Sequence, residues 1–569
     1  MLYSELCKIY EELEKNPSRL KKTEILANFL KKIKKEKNKE IIYLIQGKAF
    51  PDYSEKEFGI SEKLCIKALE RISGISSEEI INKWKKIGDL GEVAFEIISK
   101  KKQNSLFSSK LTTEKVLENL KKLPELTGKG TIEKKILLIS ELLTSSSPLE
   151  SKYIIRTLLN DLRIGIGFGT IRDAIVEACL EKNKENIEAV QASYDKSNDL
   201  AEIFEKACKG IKYLEEVELI PGKPLKVMLA LKAESLEDGF ERAGKPCAFE
   251  YKYDGFRMLI SKDKDGKIKI FTRRLDEVTK QFPEVIEYVK NNIKAKTFII
   301  DSEAVGYDSK SKKYLPFQAI SQRIKRKYGI EKMLKELPVE IIVFDILYLN
   351  GKSLIKEPFK ERTKILRKII NEKRYCIRTA EQIITSEKKE AEKFYEKALK
   401  EGQEGLMIKN LNSEYKPGAR VGYMLKYKPQ QKEFDLVITS AEYGTGKRAG
   451  FFSSFTLSCY DSKNKKLVEV GKASTGLKEK KEEGLSFQEV SEKLKHLIIS
   501  ESGREVKVKP EIIVTVVYQN IQVSPNYESG FALRFPRIQR LRPDKGLNDI
   551  ATLEEIKSEF KRMELKTGY

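Results

Sequence analysis

Apolar residues along this chain recur at helical spacing up to about residue 215 and alternate like strands after it. One continuous core cannot serve both periods. Within 131–143, Ile132, Ile136, Ile139 and Leu143 share a helical face, and within 112–123 Val116, Leu120 and Leu123 do the same, with lysines on the outer faces. Ile220-Pro221-Gly222-Lys223-Pro224 breaks the pattern and reads as an extended linker. Segments 257–261 and 267–272 then flank Lys262-Asp263-Lys264-Asp265-Gly266, a hairpin signal. From about Glu433 the texture changes again, to short strands at 435–442, 454–460, 466–473 and 511–518. One helix interrupts them. It opens with the capping box Ser486-Phe487-Gln488-Glu489 and turns Val490, Leu494 and Leu497 inward.

The expected architecture is multidomain: an all-α unit over 1–216, an α+β unit over 217–430 and a β-barrel over 431–569. Five strands and one helix in the last point to an OB-fold. A length of 569 residues agrees with several cores.

Lys+Arg number 109 against 86 Asp+Glu, a net charge of +23. That excess suits a polyanionic partner, although a lysine-rich solvated surface has the same composition. Seven cysteines, Cys7, Cys65, Cys179, Cys208, Cys247, Cys376 and Cys459, are scattered without a CxxC pair. Neither a zinc site nor a disulfide framework is expected, and the cysteine usage fits a reducing cytoplasm. The single histidine, His496, falls in an apparent surface helix, so histidine triads and HExxH zinc chemistry are excluded. Chemistry must then run on lysine, carboxylates and a hard metal. No run of ~18 apolar residues predicts a membrane span, and the start has no signal-peptide pattern. Tyr443-Gly444-Thr445-Gly446-Lys447-Arg448 lacks the upstream glycine and the following Ser/Thr of a phosphate loop, and reads as a basic loop.

Glu250-Tyr251-Lys252-Tyr253-Asp254-Gly255-Phe256-Arg257 reads as part of one strand, Ala248 to Ile260. Alternation sets Glu250, Lys252 and Asp254 on one face and Phe249, Tyr251 and Tyr253 on the other. A lysine between carboxylates is either an edge-strand salt bridge or a functional group. Lys252 to Arg257 resembles the K-x-D-G-x-R signature of the covalent nucleotidyltransferases: DNA ligases, RNA ligases and capping enzymes. Further matches follow in order: Arg273; Asp301-Ser302-Glu303 on a strand that is apolar on both faces; Phe344-Asp345; Glu404-Gly405; Arg420; Lys426 and Lys428; and Arg542-Pro543-Asp544-Lys545. Met424 stands where the family usually has tryptophan, and Tyr518-Gln519-Asn520 lacks the acidic residues usual before Ile521-Gln522.

Across nearly the whole chain the resemblance is to ATP-dependent DNA ligases of the archaeal and eukaryotic replicative type. It implies a helical DNA-binding unit, an adenylation unit and an OB-fold. It also implies ATP and Mg2+ as cofactors and nicked duplex DNA as partner for a monomer. In the first third it rests on Thr127-Gly128-Lys129-Gly130 and on the segments 147–150 and 162–165, whose helix starts can offer N–H groups to phosphates. Lys252 would attack the α-phosphate of ATP. Glu250, Arg257, Arg273, Glu303, Phe344, Arg420, Lys426, Lys428, Arg542 and Lys545 would contact the nucleotide, and Glu303 and Glu404 the metal. A free lysine is charged at neutral pH, and cationic neighbours and burial are expected to discharge this one. Gln103-Asn104-Ser105-Leu106-Phe107 resembles a sliding-clamp peptide or is an ordinary loop. An RNA ligase or capping enzyme, and a non-catalytic nucleic-acid clamp, are the competing functions. The missing four-cysteine zinc finger argues against an NAD-dependent ligase.

Overall fold

The structure, a computed structural model, describes the chain apart from residues 37, 55, 101–109, 129, 316, 325–328, 430–431, 445–449, 480–483 and 568–569. The Gln103–Phe107 segment and most of the basic loop after Tyr443 therefore lie outside the described residues.

The first part is a bundle of helices from Tyr3–Lys15 to Ile211–Glu215. Local chemistry sets the helix starts. The Ser147 hydroxyl accepts from the Glu150 amide, the Glu150 carboxylate accepts from the Ser147 amide at 2.7 Å, and Pro148 takes the first turn of Pro148–Leu158. That helix is buried from Glu150 onward, so it brings charge inside. Arg156 is held by Asp89 at 2.6 Å and Glu14 at 2.8 Å, and Lys152 by Glu92 at 2.7 Å. Buried ions persist only when paired like this. Val116, Leu120, Leu123, Ile136, Ile139 and Leu143 are buried as the spacing predicts. Ile132 is not: it is 62% exposed in the first turn of Thr131–Thr144, whose apolar stripe is covered only from Ile136 onward.

The linker at 220–224 is irregular, and Leu219, Leu225, Val227 and Met228 around it are buried against the middle part. There, two sheets face each other. One has the order Leu229–Lys232, Arg420–Tyr427, Gly405–Asn410, Cys247–Lys252, Gln382–Thr385. The other runs Ile268–Thr272, Phe256–Lys262, Phe298–Gly306, Val339–Leu349, Lys352–Ser353, with Ile377–Thr379 parallel beside Val339–Leu349. The single strand expected over Ala248–Ile260 is thus two strands in different sheets. The chain turns at Tyr253-Asp254-Gly255. A Cβ on Gly255 would lie 2.3 Å from the Ala304 carbonyl oxygen, an approach only glycine permits. Phe249, Tyr251 and Tyr253 do share a buried cluster. Phe256–Lys262 and Ile268–Thr272 pair as the expected hairpin, and Phe298–Gly306 is covered on both faces.

The last part is a curled β-structure. Its longest strand, Lys432–Tyr443, pairs along one edge with Phe452–Asp461. Along the other it pairs with Ile513–Tyr518 and then Glu505–Val508, and Leu436, Leu457, Val470 and Val514 share the core this sheet packs round. Strands Ile498–Ser502, Glu505–Val508 and Arg537–Leu541 raise the count above the five expected, because short alternating segments rich in charge carry a weak strand signal. Helix Phe487–Lys495 begins where Ser486 caps the Glu489 amide, and buries Val490 and Leu494. His496 follows it, exposed. Among the described residues no helix is long and apolar enough to cross a membrane.

Burial pushes the Glu14 carboxyl up, but Arg156, Tyr153 and Lys152 outweigh it and hold the group at about 2 against an ordinary 4.5. A carboxyl depressed by folding stabilises the native state above its unfolded value and loses that contribution as pH falls toward the folded one. Protection of the 148–158 amides, corrected for intrinsic exchange, should therefore decline between about pH 4.5 and pH 2. Arg156→Met should flatten that slope and cost about 3 kcal/mol at neutral pH by stranding the buried acids. Equal slopes in both proteins would contradict the assignment.

Candidate active site

Lys252 ends the strand Cys247–Lys252, at the seam between the two sheets. Its ammonium meets Glu404 at 2.6 Å, and Lys428 meets the same carboxylate at 2.5 Å. The backbone fixes this meeting. The Glu404 amide donates to the Lys252 carbonyl at 2.8 Å, and Gly405 stands opposite Lys252 in the ladder. Burial alone would lower the Lys252 pKa, but Glu404, Glu303 and Asp254 outweigh it and raise it. Among the protein's own groups the nearest charges are acids, which favour the protonated amine and outweigh the cationic side chains expected to discharge it. Burial lifts the Glu303 carboxyl to about 7 despite Lys252 and Arg257. Burial and the facing Glu404 raise Asp254 as well.

The strand Cys247–Lys252 also carries Glu250, and Phe344 packs against the cluster of Phe249 and Tyr251. Glu250 is buried, with one oxygen accepting from Gln382 at 2.8 Å and the other paired with Lys409 at 2.6 Å. Phe344 is only half-buried, unlike a core aromatic. Lys409 lies 4.9 Å and Arg257 5.3 Å from its ring centre. Asp345 forms a buried ion pair with Arg362 at 2.8 Å. Arg257 donates to Asp301 at 2.8 Å and to the Met228 carbonyl at 2.7 Å, while the Tyr415 hydroxyl donates to Asp301 at 2.7 Å. Lys426 shares its strand face with Lys428, and Met424 packs in the core beneath. Burial lowers the Lys426 pKa first, and then Lys428, Lys252, Arg420 and Arg273 lower it further. Arg273 and Arg420 are exposed and have no carboxylate partner among the described residues. Glu404 offsets Lys252 and Lys428, but Lys426, Arg420 and Arg273 add positive charge that an anion would offset.

Among the described residues no three His, Cys, Asp or Glu side chains form a metal cage. Glu303 and Glu404 nevertheless act on each other's charge. Two such carboxylates fit a hard cation that completes its shell with water and phosphate oxygens.

The last part of the chain reaches this site. Gln519 donates to Glu404 at 3.1 Å, and Arg534 acts on Asp254. Arg542 and Lys545 are not brought to Lys252. Both pair with Asp435, at 2.9 and 2.7 Å, and Arg542 also with Asp544. Sequence reasoning missed Lys409, Gln382, Gln519 and Arg534 as partners of site residues. Lys409 carried a usable signal: its alternation with Ile408 in a strand beside Lys252. Gln382 and Gln519 carried none.

A family model described as "ATP dependent DNA ligase domain" matches residues 227–428. "DNA ligase N terminus" matches 2–176, and "ATP dependent DNA ligase C terminal region" matches 448–545. A DNA ligase of Nanoarchaeum equitans is 44% identical over 560 residues, covering 98% of each chain. The chain belongs to the ATP-dependent DNA ligase family. A DNA ligase of Thermococcus fumicolans is 41% identical over 559 residues, again covering 98% of each. The solved structure "Pmar-Lig_PreS3" shares the fold, with a TM-score of 0.57 at 18% identity over 94% of this chain and 99% of that one. This ligase is thus an ATP-using enzyme that seals nicks in DNA, with a helical N-terminal part, a central adenylation part and a C-terminal β part.

In the ligase, Lys409→Met would leave Glu250 charged, buried and short of one partner. Chemical denaturation should show a loss of about 3 kcal/mol. Adding Glu250→Gln should return most of it, since an amide needs no counter-ion. An additive double mutant would show that the pair is not coupled.

Proposed function

We propose that Lys252 is the nucleophile that carries AMP. Its Nζ bonds to the α-phosphorus of ATP and pyrophosphate leaves, giving a lysyl-AMP phosphoramidate. The adenylate passes to the 5′-phosphate of a nick, and the 3′-hydroxyl then displaces AMP. The observation that carries this reading is the meeting of Lys252, Glu404 and Lys428 beside three further cations, Lys426, Arg273 and Arg420.

The other residues divide the work. Glu250, held by Gln382 and Lys409, accepts from the adenine amino group, and the half-buried Phe344 stacks on the purine. Arg257, fixed by Asp301, binds the nucleotide together with Glu303. Arg273, Arg420, Lys426 and Lys428 spread over the phosphates and stabilise the charge that develops there. Arg542 and Lys545 orient the departing pyrophosphate, which requires them to leave Asp435. Mg2+ bound by Glu303 and Glu404 would neutralise the acids that hold Lys252 protonated, and would polarise phosphate oxygens.

The unit limits follow the sequence reading: 1–216 for a helical module gripping duplex DNA through phosphates, 217–430 for adenylation, and 431–569 for an OB-fold. Support for the OB-fold is the pairing of Lys432–Tyr443 with strands on both its edges and the helix Phe487–Lys495. The enzyme works as a cytoplasmic monomer in replication, repair and recombination, and the 103–107 segment is its candidate contact with a sliding clamp.

With ATP and Mg2+, intact-mass measurement should show one adenylate, mapped to the peptide that holds Lys252. Lys252→Ala should acquire none and lose ATP-dependent sealing by at least about 10^4-fold, as removal of a nucleophile does. It should retain nick binding. An adduct at another residue would refute the assignment. Glu404→Gln should slow self-adenylation by about 100-fold in single-turnover assays, since it takes away a metal ligand. An unchanged rate would remove Glu404 from the site.

A further inference from the structure

The fold joins two thiols that the sequence keeps apart. Cys179 ends the helix Phe168–Cys179, and Cys208 lies near the end of Leu200–Lys209. They are 29 positions apart in the chain, yet their sulfurs stand 2.9 Å from one another. A shift of roughly one ångström would reach the ~2.05 Å of a disulfide. The other five cysteines, Cys7, Cys65, Cys247, Cys376 and Cys459, are all buried, and only these two are partly open to solvent.

Two lysines, Lys34 and Lys39, lie close enough to favour negative charge on both sulfurs. The sulfhydryl of Cys179 and these lysines lower the Cys208 pKa, while Cys208 and burial raise that of Cys179. One thiol is therefore set up to attack and the other to resolve. A low-pKa, accessible thiol beside a partner is the arrangement found in cysteines that exchange.

We propose that Cys179 and Cys208 are a redox-reactive dithiol that closes to a reversible disulfide by exchange with low-molecular-weight disulfides, bolting the helix Phe168–Cys179 to Leu200–Lys209. The Cys208 thiolate attacks a small disulfide RSSR, forms a mixed disulfide and expels one RS−. Cys179 loses its proton to solvent and attacks the Cys208 sulfur, expelling the second RS−. Two protein thiols are oxidised and one RSSR is reduced to two thiols. A reductant of the same class reverses the reaction, so the bond is compatible with a reducing cytoplasm. The crosslink removes freedom from the unfolded chain across the intervening loop, and so stabilises the helical part.

The test uses the full-length protein with glutathione disulfide, followed by alkylation under denaturing conditions. The expected result is two fewer alkylated thiols, a peptide joining Cys179 to Cys208, and a melting transition raised by about 5 °C. Dithiothreitol should restore all three readings. Cys179→Ser and Cys208→Ser should each take up a single glutathione at most, form no crosslink, and seal nicks like wild type under reducing conditions. Full alkylation after oxidation, a wild-type protein that stops at mixed disulfides, or a crosslink to another cysteine would overturn the pairing. A crosslinked protein that melts at or below the reduced one would overturn the stapling role.

Discussion

The ion pair between Lys252 and Glu404 ties the end of strand Cys247–Lys252 to the start of Gly405–Asn410 in the adenylation part. It exists because two stretches of backbone approach more closely than side chains would allow. Gly405, opposite Lys252 in the ladder, has a positive φ of 140°, and a Cβ there would lie 2.2 Å from the Tyr427 carbonyl oxygen. Gly255 removes the same obstacle on the other sheet, beside Ala304. Between these two glycines the sheets come close enough for acids from one part of the chain to face amines from another. The pocket is thus a consequence of backbone sterics before it is one of charge.

The charge balance explains why so polar a seam is stable. Four of the seam's acids have a named cation: Glu250 has Lys409, Asp301 has Arg257, Asp345 has Arg362, and Glu404 has Lys252 and Lys428, while burial raises the pKa of Glu303 and Asp254. Lys426, Arg273 and Arg420 are left over, and all three lie at one end. A surplus of one sign at one end of an otherwise balanced site specifies a ligand that is anionic there and neutral at the other end, where Glu250 and Phe344 face it. A nucleoside triphosphate has that polarity.

Much of this was legible in the chain because it rests on short-range order. Period-2 alternation correctly sets Phe249, Tyr251 and Tyr253 against Glu250 and Lys252, and the two apolar faces of Phe298–Gly306 announce a central strand. Reading failed where geometry outweighs local pattern. Ala248–Ile260 looks like one strand because aromatic and apolar residues continue through it; Asp254-Gly255 was the only punctuation. Ile132 sits on a correct helical stripe with nothing packed over it. The partners of Glu250 and the Cys179–Cys208 approach depend on contacts across 132 and 29 residues, and no spacing rule reports those.

That the acids around Lys252 outweigh its cationic side-chain neighbours was also beyond the sequence. Cationic neighbours were expected to discharge the amine, yet the acids nearest to it prevail. The reading of Glu404 as a metal ligand requires that carboxylate to change partners, since it neutralises Lys252 in this arrangement. Its other oxygen accepts from Gln519 of the C-terminal β part. Movement of the β part therefore acts on the acid that neutralises Lys252. Arg542 and Lys545, held on Asp435 at the start of the same β part, can reach a nucleotide only through such a movement. Charge state and arrangement are coupled through one carboxylate, and the chain need not carry a separate signal between them.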